Sequence, residues 1–328
     1  MTQAQAVRLE QTGSPEVLTF QEVDLPSPGE GEIQIRQTAI GLNFLDIYHR
    51  RGGYGAPLPL PSGLGVEGVG EITAIGRGVT DFEVGQRIAY VGGPPGAYAT
   101  MRNLPAARAL AAPEGIGNAE LAAIIFKGLT AEYLIHRCAP IRKRHLVLFH
   151  AAAGGVGSIA THWMHRIGAT VFATVGSEEK AEIARANGCD YVINYNEQDF
   201  EAEVKRLTKG RGVDVVFDSV GADTFDKSLN SLRQRGLMVS FGEASGPIPP
   251  VGVGTLGAKG SLYLTRPSIA HYTNVRDEYQ AGADNLFRAI RKGDVKPPRI
   301  TTYPLADVQK AHADVEGRRT IGSVVLLP

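Results

Sequence analysis

The stretch 146–157, LVLFHAAAGGVG, constrains this chain more than any other. Residues 146–150 form a short, mostly apolar run, the mark of a strand buried on both faces. Small residues follow, among them Gly154, Gly155 and Gly157, and then an amphipathic stretch, 158–167, closed by Gly168 as a helix-terminating glycine. Strand, glycine turn and helix in this order predict a crevice for a phosphorylated ligand. The first amides of a helix have no acceptor inside it, and the dipole is positive there. A pyrophosphate reaches those donors only where no side chain covers the backbone. Gly154 allows that approach, Gly155 and Val156 lie in the same turn, and Gly157 lets the helix pack closely on the strand. The spacing Ala152-x-Gly154-x-x-Gly157 carries alanine where the usual glycine signature begins. The alternative is a tight turn without a ligand.

From 146 onward, strands and helices alternate. Strands are expected at 146–150, 170–175, 191–194, 213–218 and 237–241, with a sixth near 261–264. Helices fall at 180–186, 200–208 and 224–232. Such alternation predicts a parallel, doubly wound sheet whose ligand crevice lies at the carboxyl ends of the strands. Residues 1–125 differ: short strands at 4–8, 18–23, 32–40 and 68–75, and one within 81–91, are separated by proline and glycine. That predicts a compact β-rich, barrel-like fold. Helical spacing over 118–135 marks the passage between the two. A helix near 279–292 and a strand near 321–327 are expected to return to the first domain. A chain of 328 residues is comfortable as two domains.

Lys+Arg and Asp+Glu both number 34, so the formal charge is zero and no nucleic-acid partner is indicated. Two cysteines, Cys138 and Cys189, make neither a disulfide framework nor a four-thiolate zinc lobe. No apolar stretch reaches the ~20 residues of a membrane helix, and 1–13 lacks the apolar core of a signal peptide. A cytoplasmic location is expected, with no membrane partner.

The second strand selects the dinucleotide. An acid at its tip would bond a ribose 2′-hydroxyl and repel a 2′-phosphate. Here the tip reads Val175-Gly176-Ser177, with Lys180 one turn into the next helix. Residues after the third strand lie beside those after the second, which brings Tyr195 toward Lys180. A lysine and a phenol converging on one ribose read as a phosphate clamp, so NADPH is expected over NADH. Glu178 and Glu179 stand against this, unless they serve the helix dipole.

Several stretches resemble the zinc-free quinone oxidoreductases of the medium-chain dehydrogenase/reductase superfamily, the zeta-crystallin branch. They are GLNFLDIYHRRGGY (41–54), LPSGLGVEGVG (60–70), FKGLTAEYL (126–134), FHAAAGGVG (149–157), FDSVG (217–221), RQRGLMVSFG (233–242) and GSLYLTRPS (260–268). The resemblance implies an α/β chain: a GroES-like β-rich catalytic domain, 1–125 and 267–328, plus a Rossmann domain with a doubly wound parallel sheet, 126–266. It implies a homodimer joined through the Rossmann edge strands. Where zinc-dependent relatives hold cysteine and histidine ligands, this sequence has Asn43 and Val66, neither able to supply a thiolate or imidazole.

By the same resemblance, Asn43, Asp46, Tyr48 and Tyr54 face the nicotinamide and the acceptor. Asn43 orients the ring, and the tyrosines offer an aromatic floor and hydroxyls. An alternative gives Asp46 to a helix cap. Thr130 is expected near the nicotinamide, with Tyr133 on the same helix face and Lys127 close by. Ser219, Phe241, Gly242 and Arg266 follow strand ends, and Arg318 or the adjacent Arg319 is expected near the 2′-phosphate. The expected activity is zinc-independent transfer of hydride or electrons from NADPH to a quinone. The rivals are a reductase of activated C=C bonds in enones or enoyl thioesters, and a non-enzymatic NADPH- or RNA-binding protein.

Overall fold

The structure is a computed structural model that describes residues 2–53 and 58–328, so Tyr54 lies outside the described residues. The chain forms two compact units, one of residues 1–127, 275–283 and 297–328, the other of 128–274 and 284–296.

The first unit opens with β1 (Thr2–Leu9), β2 (Leu18–Leu25) and β3 (Glu32–Leu42). Helix α1 (Phe44–Arg51) and strands β4 (Ser62–Gly63), β5 (Glu67–Ile75), β6 (Arg87–Val91), β7 (Met101–Pro105) and β8 (Ala109–Ala111) follow, and then helix α2 (Asn118–Glu132). The long strand β3 organises this unit. Residues 33–39 run antiparallel to β5, while its first half, 32–36, pairs with β7. Register shifts against β5 lie between Gln34 and Ile35 and between Gln37 and Ala39, which bends the strand as bulges do. Ile33, Ile35, Ile40 and Leu42 of β3 pack in one core with Leu9, Ile72, Ile88, Tyr90 and Leu104.

The second unit begins with β9 (Leu146–Phe149), α3 (Gly155–Ile167), β10 (Thr170–Val175), α4 (Glu178–Ala186), β11 (Tyr191–Asn194) and α5 (Phe200–Leu207). It continues through β12 (Val213–Asp218), α6 (Phe225–Ser231), β13 (Leu232–Ser240), α7 (Val253–Ala258), β14 (Tyr263–Thr265) and α8 (Ile269–Thr273). Six parallel strands stand in the order β11-β10-β9-β12-β13-β14, the doubly wound arrangement the alternation predicts. Every residue of β12 is buried, as befits a strand covered by helices on both faces. The order reverses between β9 and β12, which puts the crevice at the tips of those two strands.

Helix α9 (Arg276–Lys292) leads back to β15 (Ile300–Pro304), α10 (Val308–Glu316) and β16 (Ser323–Leu327). Strand β16 pairs antiparallel with the end of β3, Val324 opposite Leu42.

The units divide the chain differently from the expected 126–266 at three places. Phe126 and Lys127 stay with the first unit, where both bond Glu67. Residues 267–274 and 284–296 belong to the second. Arg137 bonds the Tyr272 carbonyl, Asn285 bonds Glu132 and Asp294 pairs with Arg166, contacts between residues far apart in sequence.

Candidate functional site

In the second unit the turn after β9 is built as its glycines suggest. Gly154 caps α3 in extended backbone, and the helix starts at Gly155, three residues earlier than the amphipathic pattern indicates. Glycine is a poor helix former, but packing leaves no choice here: a β-carbon on Gly157 would come within 2.8 Å of Ala152 Cα. Gly168 ends the helix in the left-handed region, φ 89°, as a terminating glycine should. The bare first turn of α3, from Gly154 through Gly155 and Val156 to Gly157, is a surface on which a phosphate can sit. A β-carbon on Gly154 would lie 3.2 Å from the Ala151 carbonyl oxygen, a tight fit that glycine avoids.

At the tip of β10, Asn196 Nδ2 donates to the Gly176 carbonyl at 2.8 Å, and Tyr195 N–H donates to the Val175 carbonyl at 3.1 Å. The Tyr195 phenol lies directly over Gly176: a β-carbon there would meet its hydroxyl and come within 2.9 Å of Cζ. The Ser177 hydroxyl accepts Lys180 N–H at 3.4 Å and so caps α4. Glu178 is drawn to Arg185 by a 2.6 Å ion pair. The tip therefore holds a glycine, a hydroxyl and an exposed phenol, with the Lys180 backbone one helical turn away.

Further along the crevice, Gly242 lies against the backbone of Ser219, where a β-carbon would fall 2.7 Å from the Ser219 carbonyl oxygen. Phe241 N–H bonds the Asp218 carbonyl at 2.8 Å, and its ring lies 5.8 Å from that of Phe149. Arg266 reaches from beyond β14 to the carbonyls of Ser240 and Gly242, both at 3.1 Å, and to Glu243 at 2.9 Å. It binds together the loop after β13. Thr130 and Tyr133 are both buried. A π-helical stretch, Tyr133–Cys138, follows α2 directly, so the 3.6-residue spacing that would align the two side chains ends at Tyr133. The Tyr133 ring stacks on Tyr272 with centroids 4.4 Å apart.

The first unit holds the acceptor-side residues in a buried polar network. Asn43 precedes α1, and its backbone N–H donates to Asp46 Oδ2 at 2.9 Å, one half of a capping box. Tyr98 donates to the same oxygen at 2.9 Å, while the other, Oδ1, has no hydrogen-bond partner among the described residues. Asp46 is fully enclosed, 0% exposed, and burial raises its carboxyl from 3.8 to about 7. The capping alternative thus describes its placement, and its full enclosure is not what a residue facing the acceptor would show. Tyr48 is partly exposed, with its ring 5.6 Å from Phe44.

The side chain of Asn43 is turned by Glu67, a residue that the sequence reading passed over. Asn43 Nδ2 donates to Glu67 Oε1 at 2.7 Å, and Lys127 Nζ lies 3.3 Å from that oxygen. Phe126 N–H donates to Oε2 at 3.0 Å. Glu67 is wholly buried and Lys127 nearly so, and Gly41 makes room, because any β-carbon there would strike the Glu67 carboxylate. The signal was the acid directly after Val66, in the stretch already matched to the family.

A second arm of this network was also missed. Arg50, 0% exposed, pairs with Glu316 at 2.7 Å and donates to His312 Nδ1 at 3.1 Å. Since arginine can only donate, His312 Nδ1 is bare and Nε2–H faces the Tyr98 oxygen, 3.2 Å away. Burial, with Arg50 alongside, lowers His312 to about 3, so the ring is neutral. Arg319 is held by Asp314 at 2.8 Å, and Arg318 stands in left-handed backbone, φ 58°. Among the described residues, no group of three or more His, Cys, Asp or Glu is placed to hold a metal ion, and none of the helices is long and apolar enough to cross a membrane.

Comparison with known proteins agrees with this architecture. Residues 29–141 match the alcohol dehydrogenase GroES-like domain, and residues 155–287 match the zinc-binding dehydrogenase domain. The chain is 44% identical to a quinone oxidoreductase of Pseudomonas aeruginosa, covering 99% of this chain and 100% of that protein. It is also 44% identical to a 2-haloacrylate reductase from a Burkholderia species, over 98% of each. Among solved structures, that of the Escherichia coli quinone oxidoreductase complexed with NADPH superposes with a TM-score of 0.95 at 43% identity, over 99% of this chain and 100% of that one.

Proposed function

Because the chain belongs to the quinone oxidoreductases of the medium-chain dehydrogenase/reductase superfamily, we propose that it oxidises NADPH and reduces quinones without a protein-bound zinc. One observation carries the cofactor half: the strand tip beneath Tyr195 is glycine, not an acid, so a 2′-phosphate meets no repulsion there. The bare first turn of α3 fits the pyrophosphate on the same physical ground. Gly154, Gly155 and Val156 would hold that group. Gly176, Ser177, Lys180 and Tyr195 would hold the 2′-phosphate, assisted by Arg318. Ser219, Phe241, Gly242, Arg266, Thr130 and Tyr133 would shape the nicotinamide end.

Bound NADPH would supply the electrons, singly or as hydride. The protein's part is position and polarity. Asn43 presents an amide fixed by Glu67, and Tyr48 and Tyr54 offer hydroxyls to a quinone oxygen. Asp46 holds the start of α1, from which Asn43 and Tyr48 extend. Asn43 and Val66 supply neither thiolate nor imidazole, so no ligand set polarises an alcohol. An acceptor that is already electrophilic suits such a site.

The 2-haloacrylate reductase relative favours a second reading, reduction of an activated C=C bond. The purified protein with NADPH should turn over 1,4-benzoquinone faster than 2-cyclohexenone or 2-chloroacrylate. Equal or faster turnover of either alkene would transfer the assignment to the second reading. The protein would act in the cytoplasm, in keeping with two free cysteines. It would act as a homodimer joined along β14, the sheet's edge strand, where Tyr263 is 62% exposed.

A further inference from the structure

Under the crevice of the second unit runs a linear chain of hydrogen bonds that nothing above uses. Thr174 Oγ1 lies 2.8 Å from His150 Nδ1, His150 Nε2 lies 2.9 Å from Ser228 Oγ, and Ser228 Oγ lies 2.9 Å from Asp218 Oδ2. All four side chains are buried, His150, Asp218 and Ser228 completely. The direction of the chain follows from the chemistry of its ends. Asp218 Oδ2 accepts the Ser228 hydroxyl, so Ser228 has given its one proton and can only accept from His150. Nε2 of His150 therefore carries the hydrogen. Burial lowers the pKa of His150, which keeps the ring neutral, so Nδ1 is bare and takes the Thr174 hydroxyl proton. The network thus assigns the tautomer.

The order is the reverse of a nucleophilic triad. There the histidine removes the serine's proton, whereas Ser228 has already committed its proton to Asp218 and His150 has no lone pair facing it. Serine, histidine and aspartate here can bind and fix, but they cannot activate a nucleophile.

What the chain joins gives it a role. Thr174 stands just before Val175-Gly176-Ser177, the tip where Tyr195 lies over glycine. His150 follows β9 directly and opens the turn that leads into α3. Asp218 ends β12, and its other oxygen accepts Val220 N–H at 2.7 Å and Gly221 N–H at 3.1 Å, which folds the turn bearing Ser219. The Thr174 carbonyl also accepts Ala152 N–H at 3.2 Å. Three loops from three strands are thereby cross-linked beneath the positions they offer to a ligand.

We propose that His150 is a positioning residue for dinucleotide binding, holding the 2′-phosphate, pyrophosphate and nicotinamide loops in one register. This rests on the NADPH reading given above. The chain spends one geometry on all three loops before the ligand arrives, and such pre-organisation lowers the ordering cost of binding.

The test uses His150→Phe, which keeps a ring of similar size without either hydrogen bond, and Thr174→Val, which exchanges a hydroxyl for a methyl. The first readout is amide hydrogen exchange on the protein without ligand. Either variant should raise exchange together in 151–157 and 219–222, although Thr174 is in neither segment. The second readout is NADPH affinity from nicotinamide fluorescence, together with steady-state kinetics. Loss of one net hydrogen bond predicts affinity about fivefold weaker for Thr174→Val, and more for His150→Phe, with KM for NADPH changing more than kcat. Faster exchange confined to the strand carrying the substitution, or NADPH affinity within about twofold of wild type, would overturn the proposal. If His150→Phe does not fold, Thr174→Val decides alone. Should the wild-type protein bind no NADPH, the functional reading falls, while the exchange measurement still decides whether the loops are tied.

Discussion

Asn43 donates its side-chain amide to Glu67 Oε1 across 2.7 Å, at a point where Lys127 supplies the buried counter-charge. The pair settles the orientation of Asn43, because a carboxylate attracts the amide nitrogen and repels the amide oxygen.

Glu67→Ala should therefore be severe. It leaves Lys127 as a buried charge without its carboxylate and Phe126 N–H without its acceptor. Breaking a buried pair from one side costs about 3–5 kcal/mol. The urea midpoint of unfolding should drop accordingly at unchanged m-value. A loss smaller than about 1 kcal/mol would show that the Asn43–Glu67–Lys127 cluster contributes little to the fold.

The strand tip at Gly176 makes a separate prediction. Lys180→Ala should weaken NADPH by about tenfold or more, the scale of one lost charge-assisted bond, while leaving NADH nearly unaffected. Gly176→Ala should also weaken NADPH, since its β-carbon displaces the Tyr195 phenol. Titrations of both dinucleotides read the ratio directly. An unchanged NADPH-to-NADH ratio in Lys180→Ala would remove Lys180 from the clamp.

Two buried groups in one network should leave opposing marks on the pH dependence of stability. His312 sits near pH 3 in the fold against 6.5 ordinarily, so over that interval the unfolded chain binds more protons and stability rises with pH. Asp46 is raised from 3.8 to about 7, so over that interval the folded chain binds more protons and stability falls with pH. Each contributes a slope of at most about 1.4 kcal/mol per pH unit, and between about pH 4 and 6.5 they oppose each other. His312→Gln should expose the Asp46 slope, giving stability that declines as pH rises through this range. Asp46→Asn should do the opposite. Urea midpoints measured at several pH values check both, and parallel curves for wild type and His312→Gln would contradict the assignment.

Much of the fold was written locally. The six parallel strands of the second unit were visible because strands covered on both faces are mostly apolar, as Val213 and Val215 to Phe217 of the fully buried β12 are. The glycines at 154, 157 and 168 were legible because each answers a short-range demand, for close approach or for a left-handed turn. The start of α3 was placed three residues late because glycine reads as a helix breaker until its packing partner, Ala152, is in view.

The polar networks were not legible in the same way. Asn43 and Glu67 are 24 residues apart, Tyr98 and His312 are 214 apart, and His150 meets Ser228 across 78. No periodicity connects such residues, and each alone passes for an ordinary surface polar group. The sequence by itself determined the strand–turn–helix crevice and the absence of an acid at the second strand's tip, since both depend on neighbours along the chain. The tertiary structure alone decided which histidine nitrogen carries the proton, which way Asn43 turns and that Asp46 is sealed from water. Those outcomes follow from burial and from donors and acceptors that only folding brings within 3 Å of each other.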